Sequence, residues 1–300
     1  MPPVDGSIMA MLRTFAAPFA GAVLASLLLG GAVASAATAP ERGQDPAAAH
    51  PRRASAPAIV LPPVNGSFDY QIGGGYPPLA GTRIVTRDIS QKPAPHTYGI
   101  CYINAFQAQT AARHWWLTKH PNLVLRDSHG RPVVDKGWNE MLLDTSTQAK
   151  RRGLLRIESR WLGRCSTKGY RGVEPDNLDS WTRSHHLLTM RENAMFAAAL
   201  VRAGHARGLA IAQKNDTDML ALHSLTRFDF AVAEECQVYS ECNQYMGTYG
   251  RHLIEIEYPD NGGLANFQAA CDARGSQISI AYRDRDVRPR GAAGYVYRRC

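Results

Sequence analysis

Gly172-Val173-Glu174-Pro175-Asp176-Asn177 is a short run that begins apolar and ends in acids and an asparagine. Thr189 and Glu192 then form a capping-box pattern, followed at helical spacing by Met195, Phe196, Leu200 and Val201. Gly208 stops that helix, and Leu209–Lys214 starts a second apolar run. Residues 172–214 thus read as strand, helix, strand. Outward from this unit the same alternation continues. Candidate strands are Phe68–Ile72, Arg83–Ile89, Tyr98–Ile103, Met141–Asp144, Gly172–Asp176, Leu209–Lys214, Phe228–Ala233, Leu253–Tyr258 and Gln277–Tyr282. Most lack period-two alternation, as expected of strands covered on both faces. Between them, Leu154, Leu155, Ile157, Trp161 and Leu162 recur at helical spacing, and the helical stretch Phe267–Arg274 ends at Gly275. Alternation of this kind predicts a parallel sheet. An open sheet with a dinucleotide site would place G-x-G-x-x-G after the first strand. Gly73-Gly74-Gly75-Tyr76-Pro77 stands there instead, and it does not open a helix. The expected fold is therefore α/β, a (β/α)8 TIM barrel forming a single catalytic domain. Nine candidate strands compete for eight places, and Gln277–Tyr282 is taken as the extra one.

The barrel is expected over residues 64–300. Before it, Arg13 precedes an uncharged run from Thr14 to Val33, and Ala34-Ser35-Ala36 supplies small residues for cleavage. Residues 1–36 thus read as a signal peptide, broken by Pro18 and several glycines, and export without stable membrane insertion follows once it is cleaved. Residues 37–63 hold six prolines and many alanines and read as a stiff linker. Export to the periplasm or the extracellular space makes the six cysteines a disulfide framework. Fifteen pairings are possible for six cysteines. Cys236 and Cys242 stand closest in sequence and form the best single pair. Zinc is disfavoured, because neither C-x2-C nor H-E-x-x-H occurs. The net charge of +8 includes many arginines in 151–171 and 283–299. It suits a solvated basic surface near anionic envelopes. No nucleic-acid motif accompanies it, so nucleic acid is not an expected partner. No feature specifies an oligomer.

Chemistry in a barrel of this kind sits at the C-terminal ends of the strands. Here several candidate strands end in acids: Glu174 and Asp176, Asp216, Glu234 and Glu235, Glu255 and Glu257, Asp144, and Asp88. Turn and cap preferences account for Asn177, Asp179 and Asp216. They account poorly for Glu174, Glu234 and Glu257, which adjoin apolar strand residues. Inward acids need a partner or a purpose. Two carboxyl groups, one giving a proton and one attacking carbon or activating water, are the inventory of glycoside hydrolysis, with no cofactor or metal. Tyr70, Tyr76, Tyr102, Trp138, Tyr239, Tyr245 and Tyr258 could stack on sugars, although core packing explains any one of them. No G-x-S-x-G elbow supports a serine hydrolase.

The GVEPDN run at 172–177, Lys214-Asn215-Asp216, Phe228–Val232 through Glu234 and Cys236, and Glu255-Ile256-Glu257-Tyr258 together resemble glycoside hydrolase family 114. Tyr98–Tyr102 resembles that family's third strand and Trp138–Asp144 its fourth. The Cys236–Cys242 segment resembles one after its seventh strand. The resemblance implies an endo-α-1,4-polygalactosaminidase on a (β/α)8 barrel, with a polysaccharide substrate. It implies that Asp176 and Glu234 are the catalytic acids. Glu174, Asn177, Lys214, Asn215, Asp216, Glu257, Tyr258, Asp88 and Tyr102 become substrate-binding or supporting residues. The chain departs from the pattern in its first strand, in the single acid Asp88 on its second, in Ala233 before Glu234, and in the loop at Ile103–Phe106. Two alternatives stay open: a catalytically silent polysaccharide-binding barrel, and a hydrolase of another glycan. A cationic galactosamine polymer suits an acidic rim but not a chain of net charge +8. Retention of configuration is expected.

Overall fold

The computed structural model describes residues 58–300. Residues 1–36 and most of the stretch read as linker lie outside them. Eight parallel strands form the barrel wall. The first three are β1 (Phe68–Gln71), β2 (Ile84–Asp88) and β3 (Tyr98–Asn104). An insertion follows, with β4 (Gln107–Ala108), α1 (Arg113–Lys119), β5 (Val134–Asp135) and β6 (Glu140–Leu142). The wall resumes with β7 (Gly172–Asp176), β8 (Ala210–Lys214), β9 (Phe230–Glu234), β10 (Leu253–Glu257) and β11 (Ser279–Arg283). Their order in the sheet is the order of the chain, and β12 (Tyr297–Arg299) adds antiparallel to β11. The helices are α2 (Gln148–Lys168), α3 (Met190–His205), α4 (His223–Thr226), α5 (Cys242–Tyr249) and α6 (Gly263–Arg274). No α-helix lies between β1 and β2 or between β2 and β3.

The barrel is confirmed, but two strand assignments change. Ile100 pairs with Gly172 and Asn104 with Asp176, so β3 and β7 are direct neighbours and leave no gap for a strand at Met141–Asp144. That segment instead gives β6, which pairs antiparallel with β4 and β5. Only Ala105 and Phe106 separate β3 from β4. So short a link cannot make the crossover that a parallel neighbour requires. Gln277–Tyr282 is not an extra strand; it holds most of β11, the eighth of the wall. The segment ending in Glu234 is accordingly the sixth barrel strand rather than the seventh.

Alternate residues explain why these strands look uniformly apolar in sequence. Phe68, Tyr70, Ile84, Ile100, Ala212, Phe230, Val232 and Ile256 fill the interior. Cys101, Ile103, Val173, Ile211, Ala231 and Leu253 pack outward with Leu154, Leu162, Phe196 and Leu200 of the helices. The Thr189–Glu192 capping box forms as expected, with the Thr189 N–H donating to Glu192 Oε2 at 2.8 Å. At the seam, β1 and β11 share no ladder. Arg283 Nη1 donates to Tyr70 O, and Tyr297 Oη donates to Phe68 O at 2.7 Å. Below the barrel, residues 58–63 run as coil, with Ile59 and Leu61 packed against the interior. This end of the expected linker thus belongs to the packed body.

Three disulfides are present: Cys101–Cys165, Cys236–Cys242 and Cys271–Cys300. The first ties β3 to α2, and the last ties α6 to the final residue. The expected Cys236–Cys242 pair closes the loop after β9. Among the described residues, no helix is long and apolar enough to cross a membrane.

Candidate active site

Along β7, β8 and β9 the inward positions end in Asp176, Lys214 and Glu234. Each of these is followed by a residue in the left-handed region: Asn177 at φ 66°, Asn215 at 51° and Glu235 at 60°. Asn tolerates that conformation, whereas Glu does so only under constraint. The turn swings the chain outward, so the last inward side chain is left at the mouth of the barrel.

Lys214 is the hub. Its Nζ lies 3.1 Å from Glu174 Oε1, 3.3 Å from Asp176 Oδ1 and 3.3 Å from Glu234 Oε2. The lysine side chain is 2% exposed and Glu174 fully buried, while Asp176 and Glu234 are 20% and 24% exposed. Only the last two carboxylates of this cluster therefore meet solvent. Burial alone would lower the Lys214 pKa, but Asp176, Glu234 and Glu174 raise it well above the ordinary value. Burial alone would likewise raise Asp176. Lys214, the Tyr102 hydroxyl at 2.6 Å and the Asn177 N–H at 2.9 Å outweigh it and hold Asp176 below the ordinary carboxylate value. Burial raises Glu174, and Lys214 offsets this only in part. Glu234 is held from both sides. Tyr258 Oη donates to its Oε1 and Asn215 Nδ2 to its Oε2 at 2.9 Å, while the Glu234 N–H donates to Asn215 Oδ1 at 2.8 Å.

Above the hub opens a cleft of about 420 Å³. Asp176, Glu234, Asn177, Asn215, Lys214, Tyr102, Tyr258 and Asp88 all line it. Three residues expected there do not. Glu174 lies beneath the floor, accepting from Tyr70 Oη at 2.8 Å. Asp216 turns away to cap the helical turn at Thr217–Leu222, accepting from the Met219 N–H. Its cap role is the one its residue type favours. Burial raises its pKa to about 7, with Asp179 adding to the effect. Glu257 points to the outer face, because on β10 the inward positions are Ile254, Ile256 and Tyr258. It accepts from the Gln237 N–H at 3.0 Å and from Asn266 Nδ2 of α6 at 2.7 Å.

Sequence reasoning also misses part of the lining. The insertion supplies Gln109, Trp138 and Glu140, of which only Trp138 stands out in sequence. Trp138 is 60% exposed on the cleft wall. Glu140 accepts from Asn104 Nδ2 at 2.7 Å, and burial raises its pKa. Arg285 and Asp286 follow β11 and would have been legible had that strand been placed in the wall. The Arg285 guanidinium lies 4.0 Å from the Tyr258 ring centroid and bonds Glu235 and Asp260. Gly73 lets the first loop close on the same wall, since a Cβ there would sit 2.5 Å from Val287 O. This backbone approach accounts for one glycine of the run that follows β1.

Two solvent-reaching carboxylates with rigid donors, in an open cleft at strand ends, have the make-up of an acid/base or nucleophile pair. Solved structures share the architecture. Ega3 from Aspergillus fumigatus, determined with galactosamine, superposes with a TM-score of 0.66 at 20% identity, covering 82% of this chain and 100% of that one. The glycoside hydrolase domain of PelA from Pseudomonas aeruginosa gives 0.52 at 17% identity, covering 76% and 97%. At such identities these likenesses concern the fold. No curated protein sequence matches the chain. Residues 48–300 match the family model for glycoside hydrolase family GH114. The chain belongs to that family and is a glycoside hydrolase.

Proposed function

We propose that this protein is an exported, endo-acting hydrolase of α-1,4-linked galactosamine or N-acetylgalactosamine polysaccharide. In this reading Asp176 is the nucleophile and Glu234 the acid/base. The carrying observation is the Lys214 hub, from which only Asp176 and Glu234 reach the cleft. Asp176, held below the ordinary carboxylate pKa, is ionised at neutral pH and suited to attack the anomeric carbon. Glu234 gives its proton to the departing glycosidic oxygen. It then takes a proton from the water that hydrolyses the glycosyl–Asp176 ester. Asp176 Oδ1 and Glu234 Oε2 each lie 3.3 Å from Lys214 Nζ, so they are at most twice that distance apart. That bound leaves out nearly all of the inverting range of about 6.5–9.5 Å and has room for the retaining spacing of about 5–5.5 Å, so retention is the outcome proposed.

Charge in the cleft supports an amino sugar. Asp88, Glu140, Asp176, Asp179, Glu234 and Asp286 line it beside Lys214, Arg183 and Arg285. Arg183 is engaged by Asp179 and Asp135, and Arg285 by Glu235 and Asp260. The remaining carboxylates suit a partly deacetylated, cationic chain, whatever the net charge of the whole protein. That Ega3 was determined with galactosamine agrees with this choice. Three disulfides fit an oxidising compartment and hence export. The test is reducing-end release from acetylated and deacetylated α-1,4-galactosamine polymers, beside Asp176→Asn. Release abolished by the substitution is expected. A folded protein that releases nothing from either polymer sinks the substrate assignment.

A further inference from the structure

Outside the cleft, the charge of α2 is unexplained by hydrolysis. The helix carries seven Lys and Arg residues and one acid, Glu158, which is buried. Arg152, Arg156, Arg160 and Arg164 recur at every fourth position and are all exposed. Among the described residues none of the four forms an ion pair. The neighbouring α3 has a single acid, Glu192, which is committed to its own N-cap at Thr189. Like charges four apart on a helix repel and disfavour it. The row thus opposes folding, with no local compensation.

Its surroundings point to a partner. Four residues per step carry the row along about 18 Å of helix. On the same side of the barrel, Trp115 is 39% exposed and packs against Trp116 and His120. Trp116 in turn meets Trp161 of α2, and Arg160 is within electrostatic reach of His120. Beside Arg152, a groove of about 360 Å³ is lined by Leu155, Met195, Leu225 and Arg202. Arginine beside indole, next to a small apolar groove, is the chemistry of a lipid headgroup layer. The row rides on an outer helix and lines no part of the cleft, which suits an extended anionic surface better than one threaded polymer.

We propose that α2 docks this protein on anionic lipid bilayers, its arginine row against the headgroup phosphates. The cleft opens at the strand ends while α2 flanks the wall, so docking leaves the cleft free. The test is co-sedimentation of the full chain with phosphatidylcholine vesicles, with and without phosphatidylglycerol. Binding that requires phosphatidylglycerol and weakens with salt is expected. Replacing Arg152, Arg156, Arg160 and Arg164 together by Gln should lower it more than tenfold, since each charge near such a surface is worth about fivefold. Hydrolysis of soluble substrate should not change. A second variant, with Lys92, Arg227, Arg251 and Arg298 changed to Gln, removes the same charge elsewhere and should keep most of the binding. Equal losses in the two variants would show mere net-charge attraction and overturn the proposal. So would undiminished binding by the α2 variant, or binding to dextran sulfate without binding to the vesicles.

Discussion

The cleft and the α2 wall handle charge in opposite ways. In the cleft every cation is spent on carboxylates: Lys214 on three, Arg183 on Asp179 and Asp135, and Arg285 on Glu235 and Asp260. On α2 the exposed arginines have no acid, and the buried acid has no donor, because both oxygens of Glu158 lack a hydrogen-bond partner. The net charge of +8 therefore averages an acidic cleft and a basic wall. What approaches the site is governed by the local sign, because salt screens the remainder beyond roughly 8–10 Å.

Removing the nucleophile should break the cleft half of this comparison most completely. Asp176→Asn is expected to lower kcat by about four orders of magnitude while the protein still folds, with a lowered thermal midpoint because Lys214 loses one of its three carboxylates. Reducing-end assays and a melting curve measure both. A decrease below tenfold would move the nucleophile elsewhere.

Lys214→Met should damage stability most. It leaves Glu174, Asp176 and Glu234 facing one another without a cation, a loss of about 3–5 kcal/mol by denaturant unfolding. The sign with pH follows from Asp176. Its folded pKa is depressed, so its contribution is complete above about pH 4, the ordinary carboxylate value, and is lost as pH falls through the folded pKa. Parent and variant should converge in acid. A constant difference down to low pH would mean that Lys214 acts through packing alone.

Tyr258→Phe removes one donor from Glu234 and keeps the ring under Arg285. A typical hydrogen bond contributes about 0.5–1.5 kcal/mol, so losing this one from the side chain that handles the proton should lower kcat roughly two- to tenfold. Steady-state kinetics showing an effect in KM alone would assign Tyr258 to substrate binding instead.

The α2 half is sharpened by Glu158→Met. Burial raises the Glu158 pKa well above the ordinary value, so the folded chain binds a proton that the unfolded chain releases. Stability from this residue therefore improves as pH falls from neutral towards the ordinary carboxylate value. At pH 8 the substitution should stabilise the protein by about 1–3 kcal/mol, with the gain shrinking in acid. Denaturant midpoints at two pH values decide it, and destabilisation at pH 8 would reveal a partner for the acid.

The smallest effect is expected at Glu257→Gln. Burial raises this acid to about pH 8, yet it lies on the outer face with Asn266. Activity should stay within about twofold, near the scatter of neutral surface changes. A large loss would place Glu257 in the chemistry after all.

Local sequence announced most of the barrel. The capping box at Thr189 and Glu192, the stop at Gly208 and the two-sided apolar strands all depend on neighbours a few residues away. Met141–Asp144 misled because its apolar character fits a barrel strand and a small antiparallel sheet equally. Only the direct pairing of β3 with β7 excludes the first. Gln277–Tyr282 reads as surplus for the complementary reason: the nine apolar runs include one that belongs to the insertion.

The site divides along the same line. Strand-end acids at 174–176 and 234 were legible because Glu and Asp adjoining apolar strand residues are unusual in sequence. Local spacing is enough for the alternation of strands and helices, for the cysteine supply and for Asp176 and Glu234 at strand ends. Only the folded chain shows that Lys214 on β8 gathers three carboxylates from the two strands beside it, that Glu257 faces outward one pleat away from Tyr258, and that Glu140 and Arg285 reach the cleft from elements distant in the chain. The physical reason is that a side chain's direction follows from strand register and its neighbours from sheet order, and both are set by contacts between residues far apart in sequence.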